Sequence, residues 1–330
     1  MDDISSPRQR GAADELGLHY ETVALNLAMG IVTPVLGAGA SLYGRSMAGD
    51  AGSAPWQGAP SATELGEILA RKFRAPDATR DLIQIAQWVY TVRGGAGLSR
   101  ALHEVFKGEF PTTDLHEFIA TVPGKVRDAG SGCPPLIVTT NYDDLIENAL
   151  TAHGEAYDVL VYIAEGVNAG RFGHVDPDRG LIPITDPETY LDVDPDERTV
   201  VLKIHGFICR TDKRSDSYVI TEDHYIEYLA RTDVTQSLPP PVVARLLDSH
   251  LLFLGYSLRD WNVRAILHQL YAQRNHTNQW WAVQLHPTDI EQVSWTQRNV
   301  QIIDMLLEEY VPALEQVFDE VLQPEPAEGR

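Results

Sequence analysis

The chain has only two cysteines, Cys133 and Cys209, far apart in the sequence. That excludes a disulfide scaffold and any self-contained cysteine zinc site. No apolar run reaches the ~18 residues of a membrane span. The opening stretch, MDDISSPRQRGAADELG, has no apolar core behind its charges, so it does not read as a secretory signal. The expectation is a cytoplasmic protein. Positive charge is scarce: 26 Lys and Arg stand against 47 Asp and Glu, a formal net charge of −21. This argues against a broad nucleic-acid surface, which needs many Lys and Arg contacts to phosphate. An anionic small ligand has to be held by backbone N–H groups and a few placed side chains.

What is present describes a globular, core-forming protein, with 44% hydrophobic and 22% charged residues. Its 330 residues hold one large or two ordinary domains. The stretch IVTPVLGAGASLYGR, residues 31–45, starts as a β-branched run and ends in small residues. Gly37, Ala38, Gly39, Ala40 and Ser41 leave almost no side chain at a sharp turn, where a ligand approaches the backbone closely. A helix starting at Ser41 supplies free N–H groups as a phosphate cradle. The spacing departs from the dinucleotide fingerprint G-x-G-x-x-G, which needs glycine where Leu42 stands. A tight strand-to-helix connection explains the same residues.

Taken in order, residues 1–20 are polar and expected to be mobile, and a helix runs from Glu21 to Met29. Residues 44–60 are Gly- and Pro-rich and form a lid candidate, with Arg45 and Trp56 as its notable side chains. Ser61 and Glu64 make a capping box. Apolar residues at helical spacing then continue to about residue 130, which reads as an inserted helical module. After it, short apolar strands at 136–139, 157–163, 200–204, 251–254, 280–285 and 300–303 alternate with helices. A long loop at about 164–198 has room for a short hairpin, and residues 323–330 are a frayed tail. The pattern is an α/β fold with a Rossmann-like, doubly wound, mostly parallel sheet, and one domain over residues 21–322.

In such sheets ligands sit beyond the carboxyl ends of the strands. Four strand ends carry small, polar or titratable residues: Gly37–Ser41, Thr140-Asn141-Tyr142-Asp143, His205-Gly206 and Gly255-Tyr256-Ser257. Each has a plain alternative. Asn141 or Asp143 caps the helix that follows. His205 is a satisfied core histidine. Gly255 and Ser257 form an ordinary turn. Lys203 faces either a helix or the site. The remaining histidines fit no metal-ligand pattern, and no metal is expected.

Together GAGAS, TTNYD, KIHG and GYSLRDWN, in this order and at strand ends, resemble the sirtuin superfamily. They are most similar to its bacterial branch of NAD-hydrolysing effectors in anti-phage defence. The resemblance spans Gly37 to Asn262. It implies that Gly37–Ser41 hold the NAD diphosphate, with Thr140 beside them in the NAD site. It places Asn141 at the nicotinamide ribose and Asp143 at the carboxamide. His205 becomes the general base, and Gly255 and Ser257 contact the adenosine ribose and phosphate.

The chemistry agrees. Nicotinamide is a neutral leaving group from a cationic N-glycoside, so the site has only to position the ribose, exclude bulk water and admit one nucleophile. An imidazole near its ordinary pKa of about 6.5 accepts a proton at neutral pH. One departure separates the branches: protein deacylases of the superfamily carry paired C-x-x-C zinc motifs, which two distant cysteines do not supply. The expected function is an NAD⁺ glycohydrolase giving nicotinamide and ADP-ribose or cyclic ADP-ribose. A non-catalytic NAD or ADP-ribose sensor and a structural subunit of a defence complex are the alternatives, with deacylation behind them. The length leaves little room for a sensing domain. A homo-oligomer and an activating partner, such as an ATPase or an Argonaute-like protein, are therefore expected.

Overall fold

The computed structural model describes residues 7–45, 58–76, 81–210, 212–231, 233–256, 267, 269–270 and 278–323. Ser257, Trp56, most of the 44–60 loop and nearly all of the tail lie outside them.

A nine-stranded sheet runs through the molecule. Its centre is β1 (Val32–Leu36), flanked by β2 (Leu136–Thr139) and β9 (His250–Leu254). Beyond β9 lie β10 (Trp280–Val283) and β11 (Val300–Ile303). Beyond β2 come β6 (Thr199–Lys203) and β3 (Tyr157–Tyr162). These strands are parallel. The hairpin β4 (Phe172–Asp176) and β5 (Gly180–Pro183) adds an antiparallel edge, inside the segment expected to be a long loop. The parallel strands are apolar almost throughout because both faces are covered. Alternation still sorts them: Leu36, Leu252 and Leu254 point into one core, and Val35, Leu251 and Phe253 into the other.

Pro34 sits in this central strand without disrupting it. The Leu36 carbonyl accepts from the Thr140 N–H, so even-numbered residues of β1 face β2. Pairing with β2 starts only at Val35, past the position where Pro34 lacks a donor.

The first core is closed by α1 (Pro7–Ala28), α5 (Asp114–Ala129), α6 (Leu145–Ala152) and a C-terminal helix, Leu307–Leu322. The second is closed by α7 (Glu222–Arg231), α8 (Val234–Ser237), α9 (Pro240–Asp248) and a helix at Asp289–Thr296. The sheet is thus covered on both sides, as a doubly wound fold requires. Helix α1 begins at Pro7, fourteen residues before the expected start at Glu21, so residues 7–20 are helical rather than outside any element. Tyr20, Val23, Ala24 and Leu27 repeat at i, i+3, i+4 and i+7 on its buried face. His19 interrupts the apolar stripe but is itself buried, its Nε2 2.9 Å from the Tyr310 hydroxyl, and burial pushes its pKa down to about 4.

The expected insertion over 61–130 divides in two. Helices α2 (Ala62–Phe73), α3 (Leu82–Arg93) and α4 (Gly95–Phe106) form a separate cluster. It packs on Ile208, Tyr218 and Ile220, beside the small ribbon of β7 (Gly206–Phe207) and β8 (Ser217–Tyr218). Helix α5, in contrast, buries Leu115, Phe118, Ile119 and Val122 in the sheet core. The inserted module is therefore α2–α4.

Two contacts shape the carboxyl edge of the sheet. First, the turns after β1 and β9 interlock. The Gly37 N–H donates to the Leu254 carbonyl at 3.0 Å, and the Gly39 N–H to the Gly255 carbonyl at 2.8 Å. A Cβ on Gly37 would lie 2.5 Å from the Gly255 oxygen, and one on Gly39 would lie 2.7 Å from the Gly255 Cα. Gly255 has φ +64°, and a Cβ there would lie 2.2 Å from the Ala40 nitrogen. These glycines let two backbones touch. Second, Lys203 at the end of β6 is fully buried. Its Nζ donates to the Asp143 carbonyl and, at 2.7 Å, to Glu147 Oε1 of α6. Burial pushes the Glu147 carboxyl above the usual range, and Lys203 opposes that shift. Together they tie β6, the segment after β2 and α6 into one unit.

Both contacts give measurable outcomes in denaturant unfolding. Gly255→Ala is expected to cost at least about 2 kcal/mol, from positive φ and the blocked approach. Lys203→Met leaves Glu147 buried without its partner and is expected to cost about 3–5 kcal/mol, whereas the double change with Glu147→Leu recovers most of it. Wild-type stability of the Lys203→Met protein would contradict this account.

Candidate active site

The four strand-end segments meet at one cavity of about 620 Å³. Of the residues singled out from the sequence, Ala38, Gly39, Ser41, Thr140, Asn141, Asp143, His205 and Gly255 line it. Gly37 and Ala40 lie beneath it, in the interlocked turn. Ser257 lies outside the described residues.

The expected helix at Ser41 is a single 3-10 turn, Ala40–Leu42. Most amides of the glycine turn are already committed. Those of Gly37 and Gly39 donate to the β9 turn, and those of Ala40 and Leu42 donate within their own turn, to Gly37 and Gly39. The N–H groups of Ala38 and Ser41 have no backbone acceptor among the described residues. The turn therefore offers a ligand these two amides rather than a full row of donors.

Asn141 does not cap α6. Its backbone N–H donates to Thr139 Oγ1 at 3.0 Å, and its side-chain nitrogen donates to the Gly37 carbonyl at 3.0 Å and to Ser41 Oγ at 3.1 Å. Ser41 Oγ in turn donates to Asp143 Oδ2 at 3.1 Å, and Asp143 Oδ1 accepts from the Leu145 N–H at 3.3 Å. A continuous chain of hydrogen bonds thus runs from the glycine turn to the start of α6. It spends the donors of Asn141 on the scaffold. The carboxamide oxygen accepts no hydrogen bond from the described residues, in a side chain that lines the cavity.

His205 follows β6 directly. It is buried, with its ring edge-on to Tyr225 at 5.9 Å and to Tyr228 at 6.4 Å between centroids. Its carbonyl accepts from the Val219 N–H at 2.8 Å, which fixes the backbone where the chain turns into β7. Lys203, left open between helix and site, faces α6 and does not line the cavity.

The remaining wall comes mostly from residues outside the four strand-end segments, with Tyr142 and Tyr256 from within them. Ser61, Ala62, Thr63 and Leu65 at the start of α2, Asp81, Leu82 and Ile83 at the start of α3, and Phe106 at the end of α4 close one side. Tyr142, Tyr225 and Tyr256 add aromatic surface. Capping marks two of these helix starts: Ser61 with Glu64 forms the expected capping box, and the Asp81 side chain accepts from the Ile83 N–H. Tyr142 is held by its hydroxyl, which donates to the Val219 carbonyl at 2.8 Å, and by edge contacts with Phe106 and Tyr218. Arg45, next to the glycine turn, pairs with Glu64, its Nη1 donating at 2.8 Å. The guanidinium holds the Glu64 carboxyl down to about 2.

A protein-family comparison matches residues 135–303 to the family described as SIR2-like domain. Defense-associated sirtuin 2 of Bacillus subtilis is 23% identical over 228 residues, which cover 68% of this chain and 19% of that protein. The NAD(+) hydrolase ThsA of Cytobacillus dafuensis is 26% identical over 190 residues, 58% of this chain and 30% of that protein. The chain thus spans less than a third of the length of these curated relatives. The matched residues 135–303 make up more than half of the chain and carry three of the four strand ends that build the cavity. The chain belongs to the SIR2-like domain family.

Proposed function

We propose that the cavity binds NAD⁺ and cleaves its nicotinamide–ribose bond, as an effector of anti-phage defence. One observation carries the reading: Asn141 and His205, from different strands, line the same cavity as the interlocked glycine turns. The names of the two relatives, a defence-associated sirtuin and an NAD(+) hydrolase, support it.

In this reading the C1′–N bond breaks heterolytically, and its electron pair leaves with neutral nicotinamide. Positive charge gathers on the ribose. Asp143, buried and hydrogen-bonded to Ser41, puts a carboxylate at the cavity wall to complement that charge. Water attacks C1′ and gives its proton to His205, so the products are nicotinamide and ADP-ribose. The Asn141 carboxamide oxygen, freed by the commitment of its nitrogen to the turn, accepts from a ribose hydroxyl or from the attacking water. The walls from α2, α3 and Phe106 add apolar surface beside these groups, which lowers the local dielectric and strengthens a positioned polar group. The diphosphate lies across the glycine turn, met by the amides of Ala38 and Ser41. The second nucleoside then continues past Gly255 and Tyr256 into an adjoining cavity of about 380 Å³ that those two residues also line. Activation by assembly or by a partner protein accords with a cell's need to keep its own NAD⁺.

Nicotinamide release from NAD⁺ tests the proposal. Asn141→Ala and His205→Ala are each expected to lower kcat by at least about 100-fold. Dinucleotide binding by a wild type that shows no turnover under any activating condition would favour a sensor. Full activity in both variants would overturn the mechanism.

A further inference from the structure

The adjoining cavity lies beyond the ends of β10 and β11, and its lining is nearly neutral: backbone at Gly255, the phenol of Tyr256, the amide of Gln284 and aliphatic or thioether side chains. Among the described residues that line it, Glu308 carries the only charge. Glu308 stands in the first turn of the helix Leu307–Leu322 and reaches back to the glycine turn. Glu308 is exposed, and its Oε1 accepts from the Gly44 N–H at 3.0 Å, which ties the carboxylate to the chain that follows the turn interlocked with Gly255. Its Oε2 accepts no hydrogen bond from the described residues.

The electrostatics of that corner are unusual for a phosphate site. A sixteen-residue helix starts there without a side-chain cap, and such an N-terminus ordinarily attracts an anion. Here Glu308 and Glu309 occupy its first turn and put negative charge where a phosphate would bind. A sugar hydroxyl donates to a carboxylate, whereas a phosphate in its place meets like charge. Stabilising the helix accounts for an acidic residue in the first turn, but not for the placement of Glu308 in the wall or for its anchor on Gly44.

We infer that Glu308 is a specificity-determining residue: it accepts from a hydroxyl of the second ribose and rejects a dinucleotide bearing a phosphate on that ribose. The inference rests on the proposed binding of NAD⁺ in the larger cavity. It assigns the selectivity for NAD⁺ over NADP⁺ to one side chain outside the strand-end segments.

Calorimetric titration of the whole chain with NAD⁺ and with NADP⁺ tests it without needing turnover. Wild type is expected to bind NAD⁺ at least about tenfold more tightly than NADP⁺, the size of one close like-charge contact at a wet surface. Glu308→Gln is expected to bring the two affinities within about threefold, weakening NAD⁺ and improving NADP⁺. Glu308→Lys is expected to favour NADP⁺. Glu309→Gln, which does not line the cavity, is the control and leaves the ratio unchanged. Tight NAD⁺ binding with the same ratio in wild type, Glu308→Gln and Glu308→Lys would overturn the role of Glu308 alone. Failure of wild type to bind either dinucleotide would overturn the reading of the larger cavity.

Discussion

Contact between two turn backbones, one after β1 and one after β9, is the constraint on which the site depends. Parallel strands at the centre of a sheet deliver their following loops to the same edge, where they compete for space. Gly37, Gly39 and Gly255 resolve that competition by having no Cβ, and the amides of Gly37 and Gly39 donate to the carbonyls of Leu254 and Gly255. The Gly37 carbonyl then anchors the Asn141 amide, and Asn141 and Asp143 both bond Ser41. A looser turn would leave Asn141 without a fixed orientation. The glycines thus shape the cavity indirectly, by holding the side chains that line it.

The same edge shows how a sheet spends its polar groups. Thr139 Oγ1 donates to the Leu36 carbonyl and accepts from the Asn141 N–H, bridging β1 to the loop after β2. Lys203, buried below, takes the Asp143 carbonyl and pairs with Glu147. Each group is paid for by a neighbour from another element. The side of the cavity that carries Asn141 and His205 therefore rests on the strand ends, and the helices α2–α4 add further wall.

That wall is apolar: Leu65, Leu82, Ile83 and Phe106 line the same cavity as Asn141 and His205. The module is held in place by its own core on Ile208, Tyr218 and Ile220 and by the Arg45–Glu64 pair next to the glycine turn.

Much of this was legible in the chain because parallel strands are short, apolar and locally patterned, and their ends are where polarity changes abruptly. Leu136–Thr139 followed by Thr140–Asp143, and Thr199–Lys203 followed by His205, announce themselves in that way. The α/β class, the strand ends and the family resemblance followed from local pattern alone. Tertiary structure decided the rest. Only the first part of helix α1, residues 7–20, escapes the local pattern, because His19, polar in sequence, finds Tyr310 at the other end of the chain. Helix α5 was read with α2–α4 because an amphipathic stripe does not name the surface it covers. The glycine turn was read as open to a phosphate, since small residues look alike whether they admit a ligand or another backbone. Only the fold brings Gly255, more than two hundred residues away, against Gly37 and Gly39. Local chemistry sets what each segment can do, and contacts between distant segments choose which of those possibilities is used.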